Sequence, residues 1–200
     1  MFYMLDDTSA EKRWLDVSDY IDRYDFRSPY DGKFTWFLGS QFTTPPPEPF
    51  EIKLRPLEVD HPDHGPLIPS YYDHKIVLMR DDLVEAMEAF GVDNLDTYAV
   101  NLTDPDDGTV YTNYKAVNII GVVAAADMKK STATVHNNIP LVDVSFDKLV
   151  INEEKVQDLL LFRLAENLMT ILMNEHLRND LLEKGFDDIK YYPLDEVATP

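Results

Sequence analysis

The sequence predicts an α+β fold in which a mixed β-sheet packs against short helices. Three features lead to this prediction: apolar alternation typical of strands, two short amphipathic helices, and an internal repeat. The repeat runs without a gap from residue 77 to residue 100 and returns 94 residues later. Each copy reads strand, helix, strand. We therefore predict two related units, at about 75–102 and 169–196, that pack as related halves.

The N-terminal third contains fewer clear elements. Phe2 to Leu5 predicts a strand, and the apolar spacing over residues 17–24 predicts a short helix. A proline-rich connector over residues 43–49 leads into a strand at 50–54, and a loop follows over 55–70. We expect residues 1–54 to form an α/β segment that packs on a main domain at 70–197, so that the chain makes one compact unit.

The first unit is predicted as a strand at 75–79, a helix at 81–90 and a strand at 95–102. Apolar residues recur in the helix at the spacing of one face, and Gly91 ends it in the left-handed conformation that glycine tolerates. A strong turn follows at 104–108. Residues 111–126 are rich in strand formers and predict one long strand, or two short ones broken near Gly121.

The second unit is predicted as a strand at 169–173, a helix at 175–184 and a strand at 189–194. Asn174 is a good N-cap for the helix, and Gly185 ends it. Further strands are predicted at 141–146, 148–151 and 160–164.

The chain is strongly acidic, because 18 Lys and Arg face 37 Asp and Glu, which gives a net charge of −19. Such a field repels nucleic acid and anionic membranes and attracts basic proteins. The longest apolar stretch, residues 119–126, is too short to span a bilayer, and no targeting segment is expected. The absence of cysteine excludes disulfides and thiolate metal sites, which is compatible with a cytoplasmic location.

Catalytic motifs are absent from the sequence, which has no nucleophile elbow, phosphate-binding loop or dinucleotide fingerprint. One loop combines oxygen and imidazole ligands that a metal ion could use, in Asp60, His61, Asp63 and His64. These residues lack the helical spacing that would make them converge, so a solvated loop is the favoured interpretation. We predict no catalytic residue, no metal and no cofactor.

Residues 81–114 contain nine acidic residues and no Lys, Arg or His. Tyrosines are interleaved with the acids, and interfaces favour tyrosine anchors within a charged rim. A solvated face of an acidic protein is the simpler interpretation for any single residue. The candidate partner-binding residues are Asp82, Glu85, Glu88, Asp93, Asp96, Tyr98, Asp104, Asp106, Asp107 and Tyr111.

Four segments of the C-terminal part carry a resemblance to known proteins: Leu160–Asn167, Ile171–Leu177, Gly185–Phe186 and Tyr191–Leu194, with a looser match at 114–128. The resemblance is to a bacterial immunity-protein family, the myxococcal-type family of polymorphic toxin systems, which was first described as a domain of unknown function. It covers about residues 70–197 and leaves the first 65 residues unplaced. Its shared positions are strand, cap and turn residues.

The resemblance implies a protein without enzymatic activity that binds and neutralises a toxin, as in interbacterial competition through systems such as type VI secretion. The acidity indicates a basic toxin, for example a nuclease. Two alternatives stay open: a small metal-dependent hydrolase that uses Asp60, His61, Asp63 and His64, and an acidic mimic of nucleic acid. A homodimer is a further mode of association that the sequence leaves open.

Overall fold

The structure is a computed structural model, and it describes residues 1–7, 11–16, 36–46, 48–58, 61, 64–74, 76–136, 141 and 143–197. The helix predicted over residues 17–24 lies outside these residues.

The described residues form short strands and two α-helices. The strands are β1 (Phe2–Asp6), β2 (Phe50–Lys53), β3 (Tyr71–Asp73), β4 (Val77–Arg80), β5 (Leu95–Thr103), β6 (Val110–Ile119), β7 (Val122–Val123), β8 (Thr132–Val135), β9 (Val144–Lys148), β10 (Leu161–Leu164), β11 (Ile171–Asn174) and β12 (Lys190–Pro193). The helices are α1 (Asp81–Ala89) and α2 (Glu175–Glu183), and a 3₁₀ helix spans Glu153–Lys155.

Two five-stranded mixed sheets organise the molecule, and this confirms the predicted α+β class. One sheet has the order β2-β5-β6-β4-β3 and the other has the order β12-β1-β11-β10-β7. A hairpin of β8 and β9 stands beside them. Strand β6 is antiparallel to both β4 and β5, so the strands that α1 connects are parallel and separated by one strand. Strand β1 has the same place between β11 and β12.

The predicted repeat is confirmed and is larger than the sequence indicated. Strand β3 pairs with β4 as β10 pairs with β11, because Tyr71 lies opposite Met79 and Leu161 lies opposite Met173. Lys115 of β6 also lies opposite Met79, and Tyr3 of β1 lies opposite Met173. We call β3, β4, α1, β5 and β6 the first copy, and β10, β11, α2, β12 and β1 the second copy. The N-terminal strand thus completes the C-terminal copy.

The two copies share one hydrophobic core. Val77 and Met79 of β4 lie in it together with Ile171 and Met173 of β11. Both helices add their buried leucines, and α1 contacts α2. Side chains alternate along a strand, so the residues between these positions point to the opposite faces. Those outer faces have separate cores, formed with residues of the N-terminal segment in one sheet and with residues 125–156 in the other.

Equivalent polar residues connect the copies to each other. Asn94 of the first copy donates through Nδ2 to the carbonyl oxygens of Ile120, at 2.7 Å, and of Leu161 in the second copy, at 3.1 Å. Asp188, which stands 94 residues later, accepts from the backbone N–H and the hydroxyl of Ser70, just before β3. A polar side chain of each copy therefore binds the backbone at the start of the other copy's first strand. These hydrogen bonds hold the two copies against each other.

The helix ends follow the predicted rules. Asn174 caps α2, because its Oδ1 accepts from the N–H of Leu177 at 2.9 Å. Arg80 occupies the same position before α1 and makes no side-chain capping bond. Gly91 and Gly185 follow the helices with φ of 99° and 93°, which is the left-handed region that glycine adopts without strain.

Some predicted boundaries were wrong. The strand expected at 148–151 is reduced to a bridge between Ile151 and Ala126, and the strand expected at 141–146 begins at Val144. The segment 111–126 forms two strands that are broken near Gly121 and not one long strand, which confirms the second of the two alternatives predicted for it. Strands β3 and β8 were not predicted, because three or four residues carry too little periodicity to be recognised.

Candidate functional site

Helix α1 divides into a buried face and an acidic face. Leu83, Val84 and Met87 are buried in the shared core. Their spacing places Asp82, Glu85 and Glu88 on the solvent side, where all three are exposed. The helix therefore presents a row of carboxylates as a direct result of its apolar spacing.

The N-terminal end of α1 has its own cations. Arg80 donates to Asp82 through Nε at 2.7 Å and Nη2 at 2.9 Å, and these bonds lower the pKa of the Asp82 carboxyl. Lys115 of β6 lies 3.6 Å from Asp81. The predicted site residue Asp82 is thus partly neutralised by the protein itself.

The C-terminal end of α1 has exposed carboxylates without such cations. Glu85, Glu88 and Asp93 make no ion pair with any residue that the structure describes. The last turn of α1 contains no basic residue. A helix C-terminus carries a partial negative charge, so Glu88 lies where a carboxylate is disfavoured. This end is a surface of uncompensated negative charge.

Apolar side chains lie beside these acids. Phe90 follows the helix and Leu160 precedes β10, and both are half-buried against the shared core. Leu160 lies close to Gly91, the residue after Phe90, because a Cβ added to Gly91 would lie 3.5 Å from Cδ1 of Leu160. Asp158 is exposed two residues before Leu160. Half-exposed apolar groups inside an acidic rim thus occupy the C-terminal end of α1.

Sequence reasoning missed Phe90 and Leu160 as candidates. The repeat could have drawn attention to Phe90, because the equivalent residue in the second copy is the charged Lys184. Leu160 could not be found this way, because the chain between β10 and β11 is longer than that between β3 and β4. Only the strand registers make Leu160 equivalent to Ser70, through the matching backbone bonds Asn174 N–H to Leu160 and Arg80 N–H to Ser70.

Two predicted tyrosines belong mainly to the core. Tyr98 is 9% exposed and packs with its ring against Trp36, at 5.7 Å between centroids, and against Phe42, at 5.6 Å. Tyr111 is partly buried against the same cluster. The structure therefore places Tyr98 away from the acidic end of α1, in an aromatic cluster that covers the outer face of the first sheet.

Two predicted aspartates anchor the N-terminal segment. Asp104 and Asp106 both accept from Nη2 of Arg13, whose side chain is 2% exposed. Arg13 also donates through Nε to the carbonyl of Arg55. The carboxylates of the 104–108 turn are thus engaged inside the protein, and they hold the turn against residues 13 and 55.

The remaining predicted residues lie apart from this turn contact. Asp107 is exposed and accepts from the N–H of Thr109 at 2.8 Å, a bond that lowers the pKa of its carboxyl. Asp96 is half-buried in β5, opposite Asn118. The structure therefore brings together Glu85, Glu88 and Asp93 at the helix end and separates them from the 104–108 turn.

The histidine loop packs around Trp14. The rings of His61 and His64 lie 4.5 Å and 5.4 Å from the Trp14 ring. His64 Nδ1 accepts from the Trp14 N–H at 3.3 Å, and its Nε2 lies 3.0 Å from the carbonyl of Pro56. A ring nitrogen that accepts a hydrogen bond has no lone pair left for a metal. Within the described part of the chain, which omits Asp60 and Asp63, no group of three or more metal-binding side chains converges.

Within the ranges described, neither helix has the length or the apolar composition needed to cross a bilayer.

The chain matches a known protein family over almost its whole length. A family model described as "Immunity protein family (Imm11)" matches residues 4–196. A search of curated proteins found no match. The matched segment begins in β1 and ends after β12, so it includes both copies, together with the N-terminal strands that complete the two sheets. The chain therefore belongs to the Imm11 family of immunity proteins.

Proposed function

We propose that this protein binds a bacterial toxin directly and neutralises it, without performing any chemistry of its own. The observation that carries the proposal is membership of an immunity family over residues 4–196. The described surface supports it in a second way, because its most distinctive feature is uncompensated charge and not a constellation of nucleophile and base.

The toxin that fits this chain is a basic protein, and a nuclease is the leading example. A net charge of −19 attracts a basic partner and speeds its association. Nucleases that act on a polyanion carry cationic surfaces, which an acidic inhibitor can cover. We propose that the two proteins meet in the cytoplasm and bury about 1,600 Å², the usual size for inhibitor complexes.

The alternative of an acidic nucleic-acid mimic rests on the same charge. It predicts salt-sensitive binding to several unrelated basic proteins, whereas an immunity protein selects one toxin. The alternative of a metal-dependent hydrolase is disfavoured by His64, because both of its ring nitrogens already have backbone partners.

The test is co-expression with the toxin encoded beside this gene. We expect cells that carry both to grow and cells that carry the toxin alone to die, and we expect the two proteins to copurify. An unrelated acidic protein of similar size and charge serves as the control and should give no protection. Failure of this protein to protect and to copurify would refute the proposal, and equal protection by the control would favour non-specific charge binding.

A further inference from the structure

We propose that the C-terminal end of α1 is the surface that contacts the toxin, with Phe90 and Leu160 at its centre and Glu85, Glu88, Asp93 and Asp158 as its rim. The proposal rests on the proposed function and specifies the contact surface and the chemistry of the partner. The occupant is a cationic face of the toxin that surrounds an apolar side chain.

The apolar centre of this surface is only partly covered by the protein itself. Phe90 and Leu160 are half-buried against the shared core, and each keeps part of its side chain at the surface. A few residues that a rim shields from water, often aromatic ones, supply most of the binding energy in protein interfaces. The adjacent Gly91 has no side chain to cover them, and its place in the left-handed region disfavours any larger residue.

The rim of this surface consists of exposed carboxylates. Glu85, Glu88 and Asp93 are exposed and make no ion pair with the described residues, whereas Asp82 at the opposite end of α1 is bound by Arg80. Carboxylates that have no internal cation are free to pair with cations of a partner. The charge of this rim therefore indicates a basic occupant.

The second copy provides an internal comparison. Phe90 and Leu160, the residue before β10, lie at the C-terminal end of α1, and the equivalent positions at the end of α2 are Lys184 and Ser70, the residue before β3. Where the first copy has Glu88 in its last helical turn, the second has Leu182. A lysine at a helix C-terminus agrees with the helix dipole, and a glutamate opposes it. At these equivalent positions the same scaffold thus carries a glutamate and a phenylalanine in the first copy and a leucine and a lysine in the second.

This contrast separates scaffold from function. A residue that breaks a local rule with no compensating contact is expected at functional sites. Glu88 breaks such a rule through its charge at the helix C-terminus, and Phe90, two residues later, keeps part of its apolar side chain at the surface. Because the core residues of the two copies are similar, the fold itself does not require these departures.

The experiment measures binding kinetics of a catalytically inactive form of the toxin encoded beside this gene. Glu88→Gln and Asp93→Asn should each lower the association rate about 3- to 10-fold at low salt, and high salt should abolish the difference. Phe90→Ser should raise the Kd by a factor of about 10 or more, mainly through faster dissociation. Glu183→Gln, an exposed charge removal in the last turn of α2, is the matched control and should change the Kd less than about 2-fold.

Two failures of this experiment have different meanings. A tight complex that is equally tight with Phe90→Ser and Glu88→Gln would overturn this surface and leave the proposed function standing. A wild-type protein that neither binds the toxin nor protects cells would refute the proposed function, and the surface with it. Equal weakening by Glu183→Gln would also overturn the surface, because it would place the contact on general charge.

Discussion

Asp73 and Arg163 occupy equivalent positions in the two copies and carry opposite charges. Asp73 lies opposite Val77 and Arg163 lies opposite Ile171, and these partners are themselves equivalent. Burial raises the pKa of the Asp73 carboxyl to about 7, although the nearby Arg163 guanidinium acts to lower it. Burial also lowers the pKa of Arg163, which Asp73 partly opposes. A symmetric scaffold thus holds a half-buried carboxyl and a buried guanidinium at equivalent positions, where each shifts the pKa of the other.

This pair predicts a pH dependence of stability that Asp73 causes. The unfolded carboxyl loses its proton near pH 4, whereas the folded one keeps it to about pH 7. Between these values the folded state binds more protons, so rising pH lowers stability, and the loss is complete above about pH 7. The contribution of Asp73 to this loss is at most about 4 kcal/mol.

The measurement is the free energy of unfolding from pH 4.5 to pH 8 for the wild type and for Asp73→Asn. We expect the decline with pH to be shallower in the variant. The slopes are compared and not the absolute values, because the substitution also removes the counter-charge of Arg163. Identical slopes would show that Asp73 does not titrate in this range.

The caps of the two helices predict unequal effects at equivalent positions. Asn174→Ala removes the bond to Leu177 and should lower the free energy of unfolding by about 1 kcal/mol. Arg80→Ala removes only the exposed pair with Asp82 and should lower it by less than about 1 kcal/mol. Denaturant unfolding of both variants checks this, and an equal or larger loss for Arg80→Ala would contradict the assigned cap.

The repeat shows how far sequence reasoning reaches in this protein. The ungapped match over 77–100 correctly predicted two strand–helix–strand units, their glycine stops and the Asn174 cap. The match could not include β1 and β6, although they are equivalent in the structure. Strand β6 follows the other strands of its copy in the sequence, whereas β1 precedes the other strands of its copy. The match also could not include β3 and β10, because a longer loop shifts their offset.

The candidate site was predictable only in part. The charge pattern correctly indicated that Glu85, Glu88 and Asp93 lie at the surface. It could not distinguish them from Asp104 and Asp106, because the partner of those carboxylates, Arg13, is about 90 residues away in the sequence. Tyr98 likewise looked like a possible anchor, but long-range packing with Trp36 determines its burial.

The helix dipole predicts that the proposed contact surface reduces the stability of the free protein. Glu88→Gln removes a negative charge from the last turn of α1 and should raise stability by about 0.3–1 kcal/mol, or Tm by about 1–3 °C. Glu183→Gln should act similarly in α2. Calorimetry at low salt checks both, and a decrease in Tm for Glu88→Gln would show that Glu88 has a stabilising partner in the free protein.

The buried contact of Arg13 predicts a large structural effect. Arg13→Met leaves Asp104 without its cation and should lower the free energy of unfolding by about 3–5 kcal/mol. Asp107→Asn, in the same turn but exposed, is the control and should leave the free energy of unfolding almost unchanged. Chemical denaturation measures both, and a small effect of Arg13→Met would contradict the anchoring role.

Direct binding to the toxin is the central claim, and isothermal titration calorimetry tests it most directly. The purified protein is titrated with the catalytically inactive toxin encoded beside its gene. We predict a 1:1 complex with a Kd of about 100 nM or tighter, in the range of natural inhibitor and recognition complexes. A titration that shows no saturable binding, with both proteins folded, would contradict the claim.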